Sequence, residues 1–145
     1  MEKTIKIIII PHAGGTAMAY NRLKKELRKY HEVSVFEYSG HGKRAEEKLY
    51  DTWQQMTEDI YAYIKNEVKD NEEYVLLGNS MGAYLVQDVC HALRERNEKL
   101  PGHNIYAACN PFCNIERLEV SMIENSSEAI RSIITSKYYQ KYLRN

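Results

Sequence analysis

A chain of 145 residues with 43% hydrophobic residues is long enough to bury one core and gives no reason to expect a second domain. Its 20 Lys and Arg balance its 20 Asp and Glu, so no net field draws it to nucleic acid or to an anionic membrane, and neither is expected as a partner. The cysteines, Cys90, Cys109 and Cys113, are odd in number and lack CxxC spacing, which argues against a disulfide framework and a zinc site. Buried reduced thiols and no bound metal are the expectation.

The N-terminal stretch MEKTIKIIIIPHAGG does not read as a signal peptide, because Lys6 interrupts the apolar run and Pro11 closes it. Nor does any apolar stretch approach the roughly 20 residues of a membrane-spanning helix. A cytoplasmic protein is expected.

Ile5 to Ile10 is a β-branched run, apolar on both faces, as an interior strand of a parallel sheet would be. A helix should follow, capped by Thr16, with Tyr20, Leu23, Leu27 and Tyr30 on one face. Val33 to Tyr38 reads as a second strand and Ser39 to Tyr50, SGHGKRAEEKLY, as a glycine- and charge-rich loop. Thr52 to Val68 carries Trp53, Met56, Ile60, Ile64 and Val68 on one stripe, and Thr52 with Gln55 forms a capping box. Tyr74 to Leu77 is a third strand, Met81 to about Arg94 a helix, and Asn104 to Ala108 a fourth strand. This alternation predicts an α/β fold, a mostly parallel sheet with helices on its faces. Beyond Pro111 the pattern changes to amphipathic segments marked by Ile115, Leu118, Ile123, Ile130, Ile133 and Ile134, without another strand, so the sheet looks unfinished.

Gly78-Asn79-Ser80-Met81-Gly82 fits G-x-S-x-G between a predicted strand and a predicted helix. A serine nucleophile must stand clear of the sheet on a sharp, strained turn, and side chains two residues to either side would collide with that turn. Glycines there avoid the collision. The following helix aims its free N–H groups at the space where an oxyanion forms, making Met81 N–H a candidate donor. A plain Gly-Ser turn stays open as the bland alternative.

Pro11-His12-Ala13-Gly14-Gly15 follows the first strand, where this arrangement takes its second oxyanion donor. Ala13 N–H is the candidate, with Gly14 and Gly15 letting the backbone turn. A phosphate cradle is the rival reading, but neither G-x-G-x-x-G nor G-x-x-x-x-G-K-[ST] is present.

IPHAGGTAMAY, YSGHGKRAEE and LLGNSMGA, in this order, resemble the PHAGG loop, PGHG-x-R loop and GHSMG elbow of type II thioesterases that accompany nonribosomal peptide and polyketide synthases in antibiotic and related biosynthesis. The resemblance runs from about residue 5 to 111. It implies an α/β-hydrolase fold and hydrolysis of acyl thioesters on phosphopantetheinyl carrier proteins, for editing or release. An acyl- or peptidyl-carrier protein would be the partner, and the phosphopantetheine would belong to it, so the enzyme needs no cofactor of its own. Ser80 is implied as nucleophile, Met81 and Ala13 as oxyanion donors, and Gly40 to Arg44, including His41, as part of the rim. Asn79 stands where the family has histidine and Ser39 where it has proline.

Serine needs a histidine base and an acid to orient it. In this fold both follow the serine, yet only His91 and His103 do so here. His91 falls some 15 Å along the helix at 1.5 Å per residue, and His103 before the fourth strand, at the far edge of the sheet. His12 and His41 read as loop hydrogen-bonders and His31 as exposed. The family's aspartate and histidine come later than this chain reaches, leaving residues 112–145 as lid helices of a single partial domain spanning 1–145. A fragment of a longer thioesterase, inactive as it stands, is the preferred expectation. A carboxylesterase or lipase-like hydrolase, and a non-catalytic chain that binds a carrier protein, are the alternatives.

Overall fold

The computed structural model describes residues 4–109. Strands Lys6–Ile10 (β1), Glu32–Val35 (β2), Tyr74–Asn79 (β3) and His103–Ala107 (β4) form one parallel sheet in the order β2-β1-β3-β4. Helices Asn21–Leu27 (α1), Trp53–Glu67 (α2) and Met81–Glu95 (α3) alternate with them.

The chain moves from β1 outward to β2, then crosses back over β1 to β3 and continues to β4. Right-handed crossovers require the two directions of travel to place their helices on opposite faces. The core divides that way. Ile7, Ile9, Val33, Val75, Leu77 and Ile105 pack with Tyr20 and Leu27 of the first connection, whereas Ile8, Ile10 and Leu76 pack with α2 and α3 through Ile60, Ile64, Leu85 and Val89. Alternate residues of β1 serve opposite faces because strand side chains alternate, so a continuous isoleucine run is what this position demands. Lys6 is buried at the start of that run and pairs with Glu32 at 3.2 Å and Glu67 at 3.1 Å. Burial alone would lower its pKa, but the hydrogen bonds it donates to these two carboxylates outweigh that and the ammonium is held above its ordinary range.

The capping box at α2 is complete: Thr52 Oγ1 accepts the Gln55 N–H at 3.2 Å, and Gln55 Oε1 accepts the Thr52 N–H at 3.3 Å. Thr52→Ala is expected to cost about 1 kcal/mol of stability. Chemical denaturation checks this, and an unchanged midpoint would count against it.

Several expectations need correction. The segment after β1 is not one helix: residues Ala17–Tyr20 form a 3-10 turn, and the α-helix then runs only from Asn21 to Leu27. Thr16 makes no side-chain cap, since the Ala17 N–H is taken by the Glu37 carboxylate at 2.9 Å and the Ala19 N–H by the Thr16 carbonyl. Tyr30 lies past the helix end and is exposed. The second strand stops at Val35 although Phe36 N–H still reaches the Ile9 carbonyl, because its partner β1 ends at Ile10 and the next residue, Pro11, has no N–H to offer.

Trp53 sits at the head of its stripe half out of the core, its indole N–H donating to Asp88 of α3 at 2.5 Å. His31 is buried rather than exposed, accepting the Ile5 N–H on Nδ1 at 3.3 Å. At the sheet margin that amide has no strand neighbour, and the imidazole satisfies it. Residues 112–145, assigned above to lid helices, and Cys113 lie outside the described residues.

Candidate active site

In an open parallel sheet, ligands bind beyond the carboxyl ends of the strands, where neighbouring strands send their connections to opposite faces. Here that place is the junction of β1 and β3. The Pro11–Gly15 loop leaves β1 there and the Gly78–Gly82 turn leaves β3, with Ile10 paired to Gly78 in register. Topology therefore brings together the two motifs that the sequence separates by more than sixty residues.

Ser80 joins β3 to α3 with φ 55° and ψ −116°, a conformation side chains rarely adopt, and it is held by a bond from its N–H to the Ala107 carbonyl of β4 at 2.8 Å. Both glycines are sterically required. A Cβ on Gly82 would run into the Ile10 carbonyl and the Pro11 backbone, and one on Gly78 into the first turn of α3 at Gly82 and Ala83. Close approach of α3 to β1 and β3 thus depends on hydrogen at both positions. Met81 is the first residue of α3, so its N–H belongs to the set that a helix leaves without an internal partner, at the positive end of the dipole.

The loop after β1 is anchored at both ends. Tyr38, buried, donates its hydroxyl to the Pro11 carbonyl at 2.6 Å, and burial pushes that phenol's pKa far above its ordinary value. Gly15 N–H closes a turn onto the His12 carbonyl at 3.1 Å with Gly14 at φ +70°, the positive φ that a type II turn requires at this position. Ala13 occupies the exposed corner of that turn. The His12 ring lies against Gly15, where a Cβ would approach its Cε1 to 2.6 Å. Its Nδ1 is 2.7 Å from the Tyr20 hydroxyl, which also meets the His12 N–H and Asn79 Nδ2, each at 3.0 Å.

The Ser39–Tyr50 segment is a tightly bonded rim. Arg44 Nη1 donates to the Glu37 carbonyl and to Asp59 of α2, both at 2.8 Å, and Tyr50 takes the Ser39 N–H while donating to the same Asp59. Burial and that carboxylate push the Tyr50 pKa up to about 12. His41 Nδ1 lies 3.0 Å from the Ser39 carbonyl. Gly42 backs onto the Glu37 carboxylate so closely that a Cβ would overlap it. Glu37 therefore links this rim to Ala17 beyond the first loop. Sequence reasoning passed over Glu37 and gave Tyr20 only a core role; the available signal was a carboxylate set between Phe36 and Tyr38, two residues that are fully buried.

None of the five histidines stands as a base to Ser80. His12 and His41 hold loop atoms, His31 serves the opposite margin, His91 is exposed on α3 and His103 begins β4. Cys90 is buried with Asn104 Nδ2 at 3.3 Å from its sulfur, and Cys109 is half-buried; burial raises both thiol pKa values. Among the described residues no group of His, Cys, Asp and Glu is placed to hold a metal, and no helix is long and apolar enough to cross a membrane. A small depression lined by Lys65, Asp70, Tyr74 and Lys99 lies at the other end of β3 from Ser80 and contributes nothing to this site.

A parallel sheet with helices on both faces and a strained serine between β3 and α3 is the scaffold of an α/β-hydrolase. The chain belongs to the Thioesterase domain family, whose model matches residues 5–114. It is similar to the solved structure of the RedJ thioesterase from the prodiginine biosynthetic pathway of Streptomyces coelicolor, with 26% identity and a TM-score of 0.67 over 90% of this chain and 48% of RedJ. YbtT, a type II thioesterase from the yersiniabactin NRPS/PKS pathway, shares the fold at 19% identity and a TM-score of 0.66, over 98% of this chain and 60% of its own. An extracellular α/β-hydrolase from a Paenibacillus species has 28% identity and a TM-score of 0.60, over 75% of this chain and 42% of its own. The chain thus spans about half the length of RedJ. No curated protein matches it.

Proposed function

We propose that these residues form the nucleophile half of a cytoplasmic thioesterase that acts on acyl groups carried by the phosphopantetheine arm of a carrier protein in nonribosomal peptide or polyketide biosynthesis. The observation that carries the reading is the strained Ser80, set beside the Pro11–Gly15 loop at the β1–β3 junction. Ser80 Oγ attacks the thioester carbonyl while the Met81 and Ala13 N–H groups hold the oxyanion. The C–S bond then breaks, the thiol leaves with a proton, and water hydrolyses the acyl-enzyme to free acid and serine. No cofactor or metal of the enzyme's own takes part, and Gly40 to Arg44 forms the rim against which the carrier arm lies. The base and acid are supplied from outside the described residues, since His12 and His41 are engaged by loop partners and no histidine is hydrogen-bonded to Ser80.

The second reading is a carboxylesterase on the same scaffold, which the α/β-hydrolase fold shared with the Paenibacillus protein leaves open. Comparing hydrolysis of an acyl-carrier protein with that of p-nitrophenyl esters separates the two, using a form extended beyond Asn145 to the length of its structural relatives. Preferential turnover of the carrier-bound thioester is expected. Preference for free esters would favour the carboxylesterase.

A further inference from the structure

We propose that Tyr20 is a positioning residue that sets the spacing between the two halves of the oxyanion hole; the proposal rests on the reading of Ser80 as nucleophile. The Tyr20 hydroxyl, on a side chain only 7% exposed, touches both halves at once. On one side is Asn79 Nδ2, from the residue immediately before Ser80, and on the other are the backbone N–H and ring Nδ1 of His12, the residue immediately before Ala13.

Counting donors fixes how the node works. A phenol has one hydrogen and two acceptor sites. Asn79 Nδ2 and the His12 N–H are donors only, so they fill both acceptor sites, and the phenolic hydrogen goes to His12 Nδ1. His12 is then an acceptor at Nδ1 and carries its proton on Nε2. Every capacity of the hydroxyl is used, and it serves no helix cap, although Tyr20 stands at the N-cap position of α1.

The ring is fixed from behind as well, because the His12 imidazole lies on Gly15 and its centroid is 5.7 Å from that of Tyr20. The turn that presents Ala13 is therefore tied to the strand end that presents Ser80 by one oxygen atom. Asn79 Nδ2 supplies the N–H that completes the node. An oxyanion hole works only if its donors hold their separation, and a displacement on the order of 1 Å costs about a hundredfold in rate.

The test is the rate at which a fluorophosphonate probe labels Ser80 in the 145-residue chain, read by peptide mass spectrometry. Without a base this slow reaction depends on the oxyanion donors. Tyr20→Phe keeps the ring and removes the hydroxyl, Asn79→Ala removes the other partner, and Tyr30→Phe alters an exposed tyrosine as control. Rates are compared at a temperature where each variant is shown to be folded. Tyr20→Phe and Asn79→Ala are each expected to slow labelling about tenfold or more, the double variant no further than the slower single, and Tyr30→Phe not at all. The 15N imidazole shifts of His12 are expected to report the Nε2–H tautomer in the parent chain and its loss in Tyr20→Phe.

Tyr20→Phe labelling at the parent rate would overturn the proposal, as would effects that multiply in the double variant. A purely structural tyrosine would lower thermal stability and leave the rate in the folded protein unchanged. Failure of the parent chain to label at Ser80 at all would instead overturn the nucleophile reading.

Discussion

Gly82→Ala is expected to destabilise the fold by about 3 kcal/mol, a large share of the roughly 5–15 kcal/mol that holds a typical domain together. The added methyl meets no flexible side chain that can swing aside. It meets the Ile10 carbonyl and the Pro11 backbone, at the point where α3 crosses the end of β1. Either α3 moves off the sheet, taking Leu85 and Val89 with it, or the Ser80 turn deforms. Gly14→Ala is the informative control, since its φ of +70° strains any side chain but a Cβ there has nothing within 4 Å. Its expected cost is about 1–2 kcal/mol. Urea unfolding of the two variants checks the contrast: a Gly82→Ala midpoint equal to the parent's, or below-parent stability only in Gly14→Ala, would contradict the geometry at the elbow.

Ser80 is expected to show the opposite behaviour, function gained at the expense of stability. A non-glycine residue at φ 55°, ψ −116° carries strain of about 1–3 kcal/mol, which Ser80→Ala retains and Ser80→Gly releases. Glycine's extra freedom in the unfolded chain takes back about 0.5–1 kcal/mol. The net expectation is that Ser80→Gly is more stable than Ser80→Ala by about 1 kcal/mol, or about 3 °C in Tm for a chain of this size. Both variants lose all labelling at position 80. A Ser80→Gly protein that melts below Ser80→Ala would mean that the turn is unstrained, and would remove the physical signature of a nucleophile elbow.

Much of this was legible in the sequence because the signals were local and strong. A β-branched run closed by proline gave β1, and Thr52 with Gln55 gave the start of α2 nearly to the residue. The elbow was readable because steric necessity leaves glycines at fixed offsets from the serine. What was missed depends on contacts between segments far apart in the chain. The first connection broke into a 3-10 turn and a short helix because Glu37 and the Tyr20 node hold it, and β2 ended early because its neighbour β1 is followed by proline. Periodicity marked Tyr20 as a core residue, and so it is, but nothing local shows that its hydroxyl touches both the Pro11–Gly15 loop and the Gly78–Gly82 turn. His31 looked exposed for the same reason: the amide it satisfies belongs to Ile5, twenty-six positions earlier.

The most direct test of the central claim is the fluorophosphonate labelling rate at Ser80, measured in the 145-residue chain and in a form extended beyond Asn145 to the length of its thioesterase relatives. Slow labelling confined to Ser80 is expected in the shorter chain, and a rate at least about 100-fold higher in the longer one, where a general base is in reach. Rapid labelling of the 145-residue chain would contradict the claim that none of its five histidines serves Ser80 as a base, and an extended form that leaves Ser80 unlabelled would contradict its role as nucleophile.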